Sequence, residues 1–321
     1  MSSLRLLADD LTGALDAAAR FVALAGPIGV SWDIAMAPRL PAMDSGTREL
    51  PAAAALARIE RFAPMLEGGN PAFKKIDSLL RGHVASELAV CMRAFDHCVL
   101  APAFPFQGRI TRGGRQFAGG GEAWRDAGID LNAALRRLGL AVTVRDAESD
   151  ADLDRVVAEG RRLPGRVLWC GTGGLAGALA GGRPVPRPVL RQPVLALIGS
   201  DHSVTRAQVA AVPRRSRERV VACRLAPGID RGEARRRISE ELAAQLGGAG
   251  RPGTLFVTGG ETLRDLCDNL GVTHLEVDGE LEPGVPASVM RGGAWDGQRL
   301  VSKSGAFGDS GFLAELLEDG R

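Results

Sequence analysis

Short apolar runs alternate along this chain with longer segments whose apolar and charged residues recur at helical spacing. Leu4–Ala8 predicts a strand, Asp9–Gly13 a turn and Ala14–Leu24 a helix. Val99–Ala101, Ala141–Val144 and Val167–Cys170 predict further strands, and Ala151–Arg162 and Gly174–Ala180 further helices. Residues 181–189 then read Gly-Gly-Arg-Pro-Val-Pro-Arg-Pro-Val. Each proline fixes its own φ and disfavours helix before it, so this stretch predicts an extended linker. Beyond it the alternation resumes. Val194–Ile198 predicts a strand, Gly199–Asp201 a turn, and a helix starts near Val204. Val220–Leu225 predicts a strand, Ile229–Leu246 a helix, Thr254–Val257 a strand and Thr262–Leu270 a helix. Leu300–Lys303 leads into a glycine-rich loop, and Asp309–Leu317 predicts a closing helix. The order implies an α/β protein of two domains, each a mixed or parallel sheet flanked by helices. The expected boundaries are residues 1–182, a linker at 183–193, and residues 194–321.

Composition narrows the functional classes. A hydrophobic content of 45% in 321 residues suffices for two cores. Formal net charge is +2, and the most basic stretch, Arg214–Arg237, also carries Glu218, Asp230 and Glu233. Mixed charge cancels the field that would recruit nucleic acid or a membrane, so neither is an expected partner. The N-terminal apolar stretch is short and broken by Arg5 and Asp9, unlike a signal peptide. Cys91, Cys98, Cys170, Cys223 and Cys267 are scattered, without a Cys-x-x-Cys, and the four histidines do not cluster with them. These features predict reduced thiols in a cytoplasmic enzyme with no zinc site.

Lysine is almost absent: of 40 Lys plus Arg residues, only Lys74, Lys75 and Lys303 are lysine. A compact ammonium serves where a point charge on a carboxylate or phosphate is wanted, whereas guanidinium is a planar fork. Asp9-Asp10-Leu11-Thr12-Gly13 follows the first predicted strand, where open α/β sheets bind ligands. Paired carboxylates there call for a cation or a proton, and Thr12 is a candidate helix cap. Lys75, Asp77, Ser78 and Arg81 combine cations, a hydroxyl and a carboxylate, as a small polyhydroxylated anion requires. The alternative for this cluster is a surface helix start with an i,i+4 Asp77–Arg81 pair. Gly171-Thr172-Gly173-Gly174 after a predicted strand resembles part of a dinucleotide fingerprint, yet no acidic residue follows about 20 positions on. Three turns of glycine and hydroxyl residues, at Gly199-Ser200, Gly259–Thr262 and Lys303–Gly308, could offer backbone N–H groups to phosphate. No Walker-type Gly-x-x-x-x-Gly-Lys-Ser/Thr is present.

Taken together, these motifs resemble the four-carbon acid sugar kinases. The matching residues are Ala8–Asp16 (Ala-Asp-Asp-Leu-Thr-Gly-Ala-Leu-Asp), Lys75–Gly82 (Lys-Ile-Asp-Ser-Leu-Leu-Arg-Gly), Ala101–Pro105, Gly108-Arg109, Asp146–Leu153, Gly259–Thr262, Glu282–Pro286 and Lys303–Gly308. The resemblance implies an acid-sugar domain, an ATP domain and an active-site cleft between them. It implies ATP and Mg²⁺ as cofactors and phosphoryl transfer to the terminal hydroxyl of a tetronate, D-threonate or D-erythronate. Carried over by position, Asp10, Arg48, Lys75, Ile76, Asp77, Ser78 and Arg81 would contact the sugar acid. Ser200, Gly259, Gly260, Glu261, Thr262, Lys303 and Gly305 would contact ATP, and no residue is assigned to a metal. Asp10 would orient or deprotonate the hydroxyl while Lys75 and Arg48 pin the carboxylate. A homodimer is open. The alternatives are a 3-oxo-tetronate 4-kinase, a non-catalytic sugar-acid or nucleotide sensor, and a nicotinamide oxidoreductase resting on Gly171-x-Gly173. Two departures bear on the pocket: residues 119–145 stand where family members carry a longer stretch, and Leu79 replaces a small hydroxyl residue.

Overall fold

Strand β1 (Arg5–Ala8) buries Leu6, Leu7 and Ala8 completely, the continuous apolar signature of a strand covered on both faces. Around it, β2 (Ile28–Ser31), β3 (Ala42–Asp44), β4 (Ala72–Lys75), β5 (His97–Ala101) and β9 (Val167–Gly171) form an all-parallel array in the order β2-β3-β1-β4-β9-β5. The computed structural model describes residues 3–120, 123–222, 233 and 251–319. The chain divides into two compact units, Met1–Val185 and Pro186–Arg321.

In the first unit, α1 (Leu11–Ala25) packs against α6 (Gly173–Leu179), which also meets α5 (Asp150–Gly160). Phe21 of α1 meets Phe73 of β4 edge-on, with ring centroids 5.6 Å apart. A core cluster joins Leu7, Met43, Leu100 and Leu168 of the strands to Ile59 and Phe62 of α2 (Ala52–Phe62), Leu88 of α3 (Val84–Cys91) and Leu135 of α4 (Leu131–Arg137). A small antiparallel sheet, β6 (Arg109–Arg112), β7 (Arg115–Gly120) and β8 (Ala123–Asp126), is fastened by Gln116, which donates to Ser78 O at 2.9 Å and Pro102 O at 3.2 Å.

The second unit contains β10 (Val194–Ile198), β11 (Val220–Ala222), β12 (Thr254–Thr258), β13 (His274–Glu280), β14 (Pro286–Arg291) and β15 (Arg299–Lys303), in the order β11-β10-β12-β15-β14-β13. The first four are parallel; β14 runs antiparallel to both neighbours. α7 (Ser203–Ala211), α8 (Gly260–Asn269) and α9 (Phe312–Asp319) flank the sheet strands, with Phe256 and Phe312 at 5.9 Å in its core. From Pro186 the proline-rich segment is tied to this unit: Glu280 N–H donates to Pro186 O, and Arg191 N–H to Thr254 Oγ1 at 2.9 Å.

Several elements differ from the sequence expectation. Residues 141–144 form no strand, only an isolated bridge from Val144 to Leu100. Lys74-Lys75, too polar to read as a strand, lies in β4. The helix expected at 229–246 and the end of the 220–225 strand lie outside the described residues. No helix among the described residues is long and apolar enough to cross a membrane.

Candidate active site

Parallel register sets Ala8 beside Asp44 and Lys75, so β1, β3 and β4 release their next residues at one end of the sheet. β1 releases Asp9 and Asp10, β3 the 45–50 loop with Arg48, and β4 the segment from Ile76 to Arg81. Asp10, not Thr12, is the N-cap of α1: its Oδ1 accepts from Gly13 N–H at 3.0 Å, and Thr12 Oγ1 donates to its Oδ2 at 2.6 Å. The paired carboxylates have their cation within the chain. Arg48 donates Nε to Asp9 Oδ2 at 2.8 Å and Nη2 to Asp9 Oδ1 at 2.7 Å, while Nη2 lies 2.6 Å from Asp10 Oδ1. Its Nη1 stands 3.7 Å from Asp77 Oδ1. Asp77 ties its own loop by accepting from Leu79 N–H, Arg81 N–H and Arg81 Nε, with Arg81 Nη2 on Oδ1 at 2.7 Å. Asp77–Arg81 is thus a real pair, but in a turn rather than a helix, since α3 begins at Val84. Leu80 sits at φ +62°, the left-handed region a branched side chain rarely adopts.

Of the three acids on Arg48, Asp10 is the most open, with 20% side-chain exposure against 3% for Asp9 and 7% for Asp77. Lys75 Nζ donates to Ile76 O at 3.0 Å. A Cβ on Gly13 would lie 2.5 Å from Asp10 Oδ1 and 3.1 Å from Lys75 Nζ, so the absence of a side chain lets both groups close on the same point of α1. Ile76 is buried and contributes its carbonyl here; Ser78 contributes its carbonyl to Gln116.

The two adjacent lysines part ways. Lys74 is fully buried, 2.6 Å from Glu87 Oε2, and takes no place beside Arg48. Glu87 also accepts from Thr47 Oγ1; Thr47 meets Ser45 Oγ at 3.0 Å, and Ser45 Oγ donates to Ala8 O at 2.8 Å. This buried network anchors the loop that carries Arg48. Sequence reasoning missed Ser45 and Glu87, which no local spacing signals.

Burial would raise the Asp9 carboxyl, but the Arg48 guanidinium outweighs it and holds the pKa below its usual value. Asp77 behaves alike: burial is opposed by hydrogen bonds from Arg81 and by the charges of Arg48, Arg81 and Lys75, and it stays well below the carboxylate range. Burial works against the Arg48 charge, and Asp10 and Asp9 more than compensate. Arg109, of the Gly108-Arg109 motif, donates to Gln107 O and Gly108 O and feels the charges of Asp77 and Arg81.

The second unit gathers its turns with almost no charge. β10 releases Gly199-Ser200, β12 Gly259 and β15 Ser304-Gly305. A Cβ on Gly199 would collide with Thr262 Oγ1, and one on Gly305 with Ser200 Oγ. Gly259, at φ +96°, lies against Gly199 and precedes α8, whose first residue is Gly260. The 304–309 loop is held by Thr205 Oγ1 donating to Gly305 O at 2.8 Å and by Gln208 Nε2 donating to Phe307 O and Asp309 O. Small residues thus let these turns pack closely on Ser200 and Thr262, and helix α8 starts with no side-chain cap on its first N–H groups. Glu261 is exposed. Lys303 donates to Ser304 O at 3.3 Å, and burial lowers its pKa to about 8 against the pull of Glu282.

The Gly171-x-Gly173 turn is occupied by packing. A Cβ on Gly171 would strike Ala101 O, and one on Gly173 would lie 2.7 Å from Asp16 Oδ2. These glycines permit close contact of strand and helices, which leaves the oxidoreductase reading without its fingerprint.

Residues 4–129 match the sugar-binding N-terminal domain and residues 227–313 the nucleotide-binding C-terminal domain. The D-threonate kinase of Cupriavidus necator is 29% identical over 96% of this chain and 95% of its own. That of Salmonella typhimurium is 25% identical over 97% of each. The first alignment runs over 400 positions against a chain of 321 residues, so this chain lacks segments internal to its relative. A crystal structure from Salmonella typhimurium LT2 shares the fold with a TM-score of 0.72 at 21% identity, covering 98% of this chain and 99% of that one. A Haemophilus influenzae structure does so with a TM-score of 0.64 at 19% identity, covering 97% and 98%. With the two domains matched in order and relatives aligned over nearly its full length, the chain belongs to the four-carbon acid sugar kinase family.

Proposed function

We propose that the chain transfers the γ-phosphoryl group of ATP to the terminal hydroxyl of a four-carbon sugar acid, with D-threonate the first candidate. The observation that supports this reading is the convergence of the Asp10 carboxylate and the Lys75 ammonium on Gly13 at the start of α1. A hydroxylated carboxylate needs both an acceptor for its hydroxyl and a cation for its acid group. The substrate named for the curated relatives has that chemistry.

In this mechanism Lys75 and the open edge of Arg48 hold the acid group, with Asp77, Arg81 and the Ile76–Ser78 backbone lining the sugar. Asp10 accepts a hydrogen bond from the attacking hydroxyl. The hydroxyl oxygen forms a bond to Pγ, the bond from Pγ to the bridging oxygen breaks, and ADP leaves. The hydroxyl proton passes to Asp10 and then to water. Phosphoryl transfer demands positioning and charge stabilisation more than covalent work by the protein. Ser200, Gly259, Gly260, Thr262 and Gly305 would cradle phosphates through backbone N–H and hydroxyl groups, with Glu261 at the rim and Lys303 adding a cation. Among the described residues no group of three or more His, Cys, Asp or Glu is suited to a metal, and Asp9, Asp10 and Asp77 are engaged by arginines. No resident metal fits, so Mg²⁺ would enter with ATP rather than in a protein cage.

Purified protein with ATP, Mg²⁺ and a panel of D-threonate, D-erythronate, their L forms and a 3-oxo-tetronate tests the reading. Release of ADP with one tetronate, and a phosphate ester in the ³¹P spectrum, is the expected result. ADP release at the background rate with every member would overturn it.

A further inference from the structure

Helix α1 carries a second carboxylate on the face that Lys75 crosses. Asp16 lies three residues beyond Gly13, and residues at that spacing share a helix face. It is only 4% exposed, and its Oδ1 has no hydrogen-bond partner. Lys75 Nζ lies 3.1 Å from the Cβ position of Gly13, which places the ammonium over that face. On the far side, a Cβ on Gly173 would stand 2.7 Å from Asp16 Oδ2 and 2.9 Å from Oδ1, so α6 begins with a residue that leaves this carboxylate in place. Burial raises the Asp16 carboxyl, the charges of Lys75 and Arg20 lower it, and that of Asp10 raises it.

A buried carboxylate oxygen without a donor is unfavourable unless a cation compensates it. A lysine stem is flexible, and its ammonium needs a second anchor to hold one position. We propose that Asp16 is a positioning residue: with Gly173 keeping it in place, its carboxylate draws the Lys75 ammonium toward α1 by charge, without a direct ion pair, and that ammonium receives the acid group of the substrate. The glycine-rich start of α6 therefore serves the sugar-acid site through Asp16. This inference rests on the reading of Lys75 as a ligand of the sugar acid.

Asp16→Asn preserves shape and removes charge. The expected result is a several-fold rise in KM and calorimetric Kd for D-threonate, as for a charge interaction across a gap. At the same time kcat and the KM for ATP change little. Lys75→Met alone should also raise KM, and adding Asp16→Asn to it should raise KM no further. Independent, multiplying effects of the two substitutions would overturn the proposal, as would a KM unchanged in Asp16→Asn. Should Asp16→Asn fold poorly, Gly173→Ala displaces the same carboxylate without removing it. A smaller rise confined to D-threonate supports the proposal, and an unchanged D-threonate KM and Kd counts against it. Calorimetry keeps the two readings apart. A wild type that binds D-threonate without turnover strikes the kinase reading alone, whereas unchanged D-threonate affinity in Asp16→Asn strikes Asp16 alone.

Discussion

The two units arrange their candidate sites by opposite means. In the first, Asp9, Asp10, Arg48, Lys75, Asp77 and Arg81 are ions that hold one another, and the open edges of Asp10 and Lys75 are what a ligand would meet. In the second, Gly199, Gly259 and Gly305 let the turns pack closely with Ser200 and Thr262, and the cation beside them is Lys303. One site is built from paired charges and the other from closely packed turns. Substitutions should therefore separate by unit. Charge changes in the first should act on the sugar acid, and size changes in the second on ATP.

The largest effect belongs to Asp10→Asn. Turnover should drop roughly 10²–10⁴-fold, as for loss of a positioned base, while the KM for ATP holds. Equal losses in both parameters would dissolve the division between units. Next is Glu87→Gln, which leaves the Lys74 ammonium buried without its partner. Denaturant unfolding should show a loss of about 3–5 kcal/mol, with the Arg48 loop loosened as well. Arg48→Lys keeps the charge but not the fork across Asp9 and Asp10. The KM for the sugar acid should rise about tenfold, with the KM for ATP unmoved. Gly305→Ala drives a methyl into Ser200 and should raise the KM for ATP several-fold, leaving D-threonate affinity at the wild-type value in calorimetry.

The mildest expectation concerns pH. Burial places the Lys303 pKa at about 8, below its ordinary value of 10.5. The free enzyme therefore loses this cation as pH passes about 8, and kcat/KM for ATP should decline there. Lys303→Arg should flatten the decline, since guanidinium stays charged. Between about 8 and 10.5 the unfolded chain binds more protons at this residue than the folded one, so its contribution to stability rises with pH across that window. A pH profile of kcat/KM for ATP identical in both proteins would remove Lys303 from the nucleotide site.

The alternation of apolar runs and helical segments announced both sheets, because buried parallel strands need continuous apolar residues; Val194–Ile198 was readable to the residue. Asp9-Asp10 and the Lys75–Arg81 segment drew notice by residue type. Their common location, however, depends on parallel register between β1, β3 and β4, and single-sequence spacing carries no register. β4 was missed because Lys74 looks solvated until Glu87, on a helix that follows it, is seen to neutralise it. Asp16 stood out only as the end of the Ala8–Asp16 motif; Gly173, packed against it, lies over 150 positions away. The helix expected to begin at Ala14 starts at Leu11, because Asp10 rather than a later residue satisfies its first N–H groups. The hairpin sheet β6–β8 joins short, polar strands whose weak periodicity hides them.

The scarcity of lysine has a practical consequence. Lys74, Lys75 and Lys303 are the whole complement, and none exceeds 6% exposure. An amine-acylating reagent thus finds no lysine on the open surface. Its slow incorporation at Lys75 or Lys303, and the protection that a sugar acid or ATP confers on each, would report ligand occupancy one unit at a time, with no engineered label.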